Sequence, residues 1–256
     1  PLFIYGFGWG MKGAALATII SQLFSFIWVL SYFWGKRSRV KLRLKGARPQ
    51  WPVIQMIISL GIPHFSMQLV SSLLNVILNK TLMKHGGDLG ISAMGIVNSL
   101  QTLLLMPVIG INQGVQPLIS FNFGAKKFDR VREAARLGII FSTAVVLVGY
   151  TATRLWPQAM VGLFNREPNL LELGTYALKR WFLLTPLVGM QVIAGSFFQA
   201  IGRSKTSLLL ILSRQGLFLI PAILIFANLF GLQGILWAAP VSDGLSFLIT
   251  SGFFLW

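Results

Sequence analysis

Apolar residues run through this chain in long blocks separated by short polar stretches. A block of about 20 such residues reads as a membrane-spanning helix. A helix satisfies its own backbone hydrogen bonds where water is absent, and that length crosses the hydrocarbon core. Six blocks lie near 14–34, 53–82, 91–121, 137–156, 175–200 and 205–228, and a seventh runs from about 232 to the end. The second and third are longer than an upright span needs, which predicts tilt, kinks or interfacial turns. Pro63, Pro107, Pro117, Pro186, Pro221 and Pro240 fall inside or near the ends of these blocks. They predict broken helices whose freed backbone groups are satisfied by neighbours. The expected fold class is an all-α polytopic membrane protein.

Polar positions inside the blocks are not scattered. Gln68, Ser72, Asn75 and Asn79 share one helical face, and Asn112, Gln116 and Ser120 recur every four residues. Gln191, Gly195 and Gln199 do the same, as do Asp243, Ser246 and Thr250 at spacings of three and four. Each stripe could be glue between packed helices, where an interhelical hydrogen bond contributes roughly 0.6–2 kcal/mol. Four helices with one polar face each point rather to a shared wet cavity walled by Met, Phe and Trp. Gln68, Ser72, Asn75, Asn79, Asn112, Gln116, Gln191 and Gln199 are therefore the candidate cavity residues.

Composition agrees with the pattern: 55% of residues are hydrophobic and 11% charged, against about 25% charged in soluble domains. The charge is lopsided, with 22 Lys plus Arg against 6 Asp plus Glu and a formal net charge of +16. Lys36, Arg37, Arg39, Lys41, Arg43, Lys45 and Arg48 fill the loop at 35–50. Lys126, Lys127, Arg130, Arg132 and Arg136 cluster two loops later, and Arg203 and Lys205 two loops after that. This series holds 14 basic residues, and the alternate series, from Lys12 to Arg180, holds 7. Basic residues favour the cytoplasmic side, so the first series is assigned inside. The excess reads as membrane topology and contact with anionic lipid, not as a nucleic-acid site.

Two charges, Arg214 and Asp243, lie deep within spans. Arg214 lies ~14 Å beyond the cytoplasmic start of its helix, and Asp243 ~17 Å in from the opposite face, at about 1.5 Å per residue. On adjacent antiparallel helices those depths coincide, which predicts that the two pair. A charge at that depth costs roughly 2.5–3.5 kcal/mol on insertion scales and is a functional hypothesis by default. The pair could equally fix helix register or respond to a proton or cation.

Other chemistry is sparse. No Cys is present, and His64 and His85 have neither ligand spacing nor an acid triad nearby. Metal sites, Cys nucleophiles and Ser-His hydrolysis therefore have no support, no cofactor is expected, and the chain does not read as an enzyme. Gly8-Trp9-Gly10-Met11-Lys12-Gly13 matches a dinucleotide-binding pattern but lacks the preceding strand, so its glycines are expected to shape a turn and a close helix start. Gly110 and Gly114 are expected to let helices pack closely, within the molecule or between copies. Glu167 and Glu172 are expected to cap a helix start.

Gly114-Val115-Gln116-Pro117-Leu118-Ile119-Ser120-Phe121-Asn122-Phe123-Gly124-Ala125-Lys126-Lys127, followed by Arg130 and Arg132, resembles the multidrug and toxic compound extrusion (MATE) family. Gly61-Ile62-Pro63, Phe198-Gln199-Ala200-Ile201-Gly202-Arg203, Ser213-Arg214-Gln215 and Pro240-Val241-Ser242-Asp243 match in the same order, most like its bacterial MepA-like branch. The resemblance implies a twelve-helix fold of two six-helix lobes. Residues 1–34 would close the N-terminal lobe, 35–50 form a basic cytoplasmic linker, and 51–256 make the six-helix C-terminal lobe. A chain that starts at Pro1 and ends inside an apolar run fits such a fragment, whose partner would be the missing N-terminal lobe.

The resemblance further implies a multi-pass protein of the bacterial inner (plasma) membrane. It would export amphipathic, often cationic small molecules in exchange for H+ or Na+, by alternating access of its lobes. Where some members carry second-lobe acids, this chain has Ser71 and Gly189, leaving Asp243 with Arg214 as the visible candidates for ion coupling. A lipid-linked oligosaccharide or polysaccharide flippase of the same superfamily is the alternative, and it should line its cavity with several cations. A purely structural membrane subunit would not need four polar stripes.

Overall fold

The computed structural model describes residues 3, 6, 8–34 and 49–255. The basic linker from Lys36 to Arg48 lies outside the described residues, as do the side chains of Pro63 and His64. The chain divides into two compact units, Pro1–Ile58 and Ser59–Trp256. In the first, α1 (Gly10–Trp34) is a 25-residue apolar helix whose one buried residue is Gly13. Gly8 and Gly10 adopt positive φ, and a Cβ on Gly13 would collide with the carbonyl of Phe3. The glycine run therefore builds a tight turn and a close helix start, as its composition suggested.

The second unit is built from helices that fold back at glycine. Helix α2 (Trp51–Gly124) and helix α8 (Ile220–Leu255) each contain one non-helical residue, Gly87 (φ 58, ψ −157) and Gly231 (φ 61, ψ −138). The apolar stretch Phe65–Gly124 has 60 residues. Unbroken, it would be ~90 Å long, about three times the hydrocarbon core. Only glycine takes positive φ with such ψ at no steric cost, so the chain breaks there. The two tips meet: a Cβ on Gly86 would stand 2.9 Å from Leu232 Cδ1, and one on Gly231 would be 4.0 Å from His85 Nδ1. His85 thus ends a helix beside the break.

Between them come α3 (Phe128–Leu155), a short α4 (Pro157–Gly162), α5 (Pro168–Trp181), α6 (Val188–Ala200) and α7 (Ser204–Leu212). Helices α5 and α6 are joined through a 3-10 turn at Thr185–Leu187, containing Pro186, and are bent by 46° against each other. A π-helical stretch, Ser213–Leu219, joins α7 to α8. Counting each side of Gly87 and Gly231 separately and the bent α5–α6 pair as one, the described residues give six membrane-length segments after α1. The main breaks are glycines at segment ends; Pro107, Pro117 and Pro240 sit inside continuous helix.

Leu78, Leu82, Met94 and Val97 from both halves of α2 pack with Leu178 and Phe182 and with Ile223, Ile235 and Leu236 from α8. Lipid is as apolar as these side chains, so close packing and interhelical hydrogen bonds hold the bundle. Gly189 illustrates the closeness: a Cβ there would lie 3.0 Å from the Thr143 backbone nitrogen and 3.1 Å from Ser142 O. Gly110 and Gly114 differ, since a Cβ on either meets nothing within 4 Å. The intramolecular packing expected of that pair is absent among the described residues.

Two turns at one end of the unit use the same device. At Gly202 (φ 82) the Arg203 N–H bonds Phe198 O at 2.8 Å and the Gly202 N–H bonds Gln199 O at 3.1 Å. At Lys126 (φ 57) the Lys127 N–H bonds Asn122 O at 2.9 Å and the Lys126 N–H bonds Phe123 O at 3.0 Å. Both are Schellman caps, one on glycine and one on lysine. The start of α5 departs from expectation. Glu167 holds the N-cap position but makes no capping bond with its side chain, and Glu172 points out of α5 into the open. Asn165 Oδ1 instead accepts the Glu167 N–H at 2.8 Å.

Candidate functional site

The two intramembrane charges meet. Arg214 Nε donates to Asp243 Oδ1 at 2.7 Å, with the Arg side chain 21% and the Asp side chain 4% exposed. Twenty-nine residues separate them, so only the reversal at Gly231 can bring them together. Three further bonds fix the pair. Ser242 Oγ donates to Arg214 O at 2.6 Å, Gln191 Nε2 donates to Asp243 O at 2.9 Å, and Ser71 Oγ donates to Gln215 Oε1 at 2.7 Å. The π-helical turn that carries Arg214 is therefore tied to α2 and α8, while α6 reaches the backbone of Asp243.

The stretch Ser213-Arg214-Gln215-Gly216 explains why the tie is possible. Bonds from i to i+5 widen the helix and alter the direction of its carbonyls. Gly216 lies against α2 in the widened turn, where an added Cβ would make ordinary contact with Val70 at 3.4 Å. Such a pair in a medium of low polarity must satisfy its remaining lone pairs to offset desolvation. Two buried polar atoms of the same region, Gln191 Oε1 and Ser246 Oγ, have no hydrogen-bond partner among the described residues.

The stripe residues separate into two settings. Gln68, Ser72, Asn75 and Asn79 are exposed along the first half of α2, while Leu78 and Leu82 of the same segment are buried in the core. Among the described residues Asn75 Nδ2 donates to Ser71 O alone, one turn back, at 3.0 Å. Gln199 is exposed, and Asn112 and Gln116 are half-buried, with Asn112 Oδ1 unpartnered among the described residues. Ser120 Oγ donates to Ala200 O at 3.1 Å. Gln191, Asp243, Ser246 and Thr250 are buried inside the unit. The sequence pattern did not separate these settings, because periodicity identifies a face and not what the face meets. Ser71, Ser242 and Gln215 join the site without having been singled out for it. Their signal was adjacency to charged or stripe positions.

Known proteins share this architecture. The MatE family profile matches residues 63–225. The chain is 29% identical over 245 residues to the multidrug export protein MepA of Staphylococcus aureus (strain MSSA476), covering 96% of this chain and 54% of that protein. It is 27% identical over 243 residues to MepA of Staphylococcus haemolyticus (strain JCSC1435), covering 95% and 53%. Among solved structures, the MATE multidrug transporter DinF-BH in complex with R6G superposes with a TM-score of 0.87 at 35% identity, covering 99% of this chain and 57% of that one. A MATE structure in complex with MaL6 gives 0.87 at 21% identity, which speaks to the fold alone. The chain spans about half the length of the curated relatives it matches, and the all-α fold corresponds to a C-terminal half.

Proposed function

The chain belongs to the MatE family, and from that premise we propose that it forms the C-terminal half of a multidrug efflux antiporter of the bacterial inner membrane. Residues 51–256 make one lobe, α1 closes the other, and the basic linker between them lies on the cytoplasmic side. Amphipathic, often cationic compounds bind where the two lobes face each other, and inward movement of H+ or Na+ drives their exit.

One observation carries this reading beyond family membership. Gln68, Ser72, Asn75 and Asn79 form a polar face on an apolar span and are exposed, although a lipid-facing helix has no use for amides. Such a face fits an aqueous cavity completed by a second lobe. Exposed Met67, Leu69 and Leu73 on the same segment offer apolar contact to a substrate's rings and chains. In this reading the clamped Arg214–Asp243 pair is the lobe's ion-responsive element, and arrival of a cation at Asp243 would loosen its hold on the π-helical turn. The superfamily's flippase alternative gains nothing here, since Arg214 is matched by Asp243.

The test is efflux of a fluorescent organic cation from drug-sensitive cells expressing the complete transporter, with and without a proton or sodium gradient. Gradient-dependent loss of dye is expected. Retention equal to that of vector controls under every gradient would remove the exporter reading.

A further inference from the structure

At the end of the lobe where the two Schellman caps lie, α3, α6 and α8 border an open cleft of about 580 Å³. This is within the ~300–1,000 Å³ usual for small-molecule sites. Its lining is divided by chemistry. Arg132, Arg136 and Arg203 contribute three cations, and no carboxylate lines it. The rest of the wall is apolar, including Ile139, Ile140 and Phe253.

The cleft is built by the fold and not by chance on the surface. Gly202 ends α6 with a left-handed turn, and the resulting cap ties the Arg203 N–H to Phe198 O at 2.8 Å. Arg203 is thereby brought back beside α3, one of whose faces carries Arg132 and Arg136 one turn apart. Ala135, Phe197 and Ile201 on the cleft wall also belong to the small packed cluster around Ile119 and Val131, so the wall is fixed. Ile140 and Phe253 remain 49% and 45% exposed, continuing the apolar wall outward.

Among the described residues none of these arginines has a carboxylate within ion-pair distance, the one such pair being Arg214–Asp243. The nearby acids, Asp129 and Glu133 on α3, are exposed and outside the lining. Sequence topology assigned both basic loops to one membrane face, and the cleft brings arginines from both together. A positive cluster above an apolar wall, at a membrane edge, complements a phosphodiester headgroup joined to acyl chains.

We propose that the cleft lined by Arg132, Arg136 and Arg203 is a binding site for an anionic phospholipid. The guanidinium groups hold the phosphate, and one acyl chain lies along Ile139, Ile140 and Phe253.

Native mass spectrometry of the purified protein with added lipid tests this without reference to transport. Dioleoyl phosphatidylglycerol should be retained about tenfold over dioleoyl phosphatidylcholine. Replacing Arg132, Arg136 and Arg203 together by Gln should bring the two lipids to parity. The same change at Lys126, Lys127 and Arg130, on the adjacent turn, should leave the preference in place. Ile140→Trp sets a bulky ring on the acyl-chain wall while keeping every charge and should also abolish the preference, which covers the case in which the triple variant does not fold. Retained preference in either cleft variant would overturn the site. Equal loss in the adjacent-turn variant would reduce it to diffuse attraction, and displacement by equimolar inorganic phosphate would make it a soluble-anion site.

Discussion

Arg214 and Asp243 stand 29 residues apart in sequence and 2.7 Å apart in space, one on a π-helical turn and the other on the returning half of α8. Removing one partner from a buried pair typically costs about 3–5 kcal/mol, while replacing both with apolar groups can be neutral. Asp243→Asn should therefore lower the melting temperature in detergent by roughly 10 °C. The double variant Arg214→Met with Asp243→Leu should recover most of that stability and yet remain inactive in dye efflux. Wild-type efflux by the double variant would confine the pair to holding the fold.

The polar face of α2 should behave in the opposite way. Asn75 and Asn79 are exposed within the lobe, and the one side-chain bond from Asn75 is local. Asn75→Leu and Asn79→Leu should change stability by no more than about 0.5 kcal/mol. Efflux should nevertheless fall several-fold, with a different ranking among substrates. Unfolding curves compared with dose-response curves for several organic cations would separate the two effects; unaltered substrate ranking would exclude these residues from the cavity.

Gly189 and Gly110 make a paired test of helix contact. At Gly189 an added methyl would press on the backbone of Ser142 and Thr143, which cannot rotate away. Gly189→Ala should destabilise by about 1–3 kcal/mol. Gly110→Ala meets open space and should be neutral or stabilising by up to about 1 kcal/mol, through helix propensity. Thermal unfolding of both variants in the same detergent checks the contrast. The same crowding explains why an acidic side chain could not replace Gly189 without moving α3.

Lys126 holds φ 57, a conformation that costs a non-glycine residue about 1–2 kcal/mol. Lys126→Gly keeps both cap hydrogen bonds and should raise stability by roughly 0.5–1 kcal/mol, although it removes a cation from a basic turn. Gly202→Lys, the reverse exchange at the matching turn, should lower it by a similar amount. Two melting temperatures decide the matter.

The apolar helices were legible because their blocks differ so sharply from the loops in apolar content. The Arg214–Asp243 contact was legible too, since two charges at equal depth on neighbouring helices have few other partners. The π-helical turn at Ser213–Leu219 was not, because nothing in Ser-Arg-Gln-Gly-Leu-Phe-Leu distinguishes i+5 from i+4 bonding. Nor could periodicity tell that Gln191 is buried against Asp243 while Gln199, two turns on, is exposed. That depends on where α8 crosses α6. Glycine was ambiguous for a related reason: Gly189 is compressed, Gly110 is open and Gly87 reverses the chain, although each is the same residue in an apolar block.

The π-helical turn acts as a phase slip in its span. An ordinary helix advances about 100° per residue, so its faces can be followed from one end to the other. Bonding to i+5 takes up extra residue length, and the face presented by 205–212 does not continue onto 220–230 at the same angle. Loss of a single residue between Ser213 and Leu219 would let the segment close into regular helix. Because the wide turn has absorbed that residue, the helices on either side would keep their facing, and the loss would fall on the displaced carbonyl of Arg214 that accepts from Ser242.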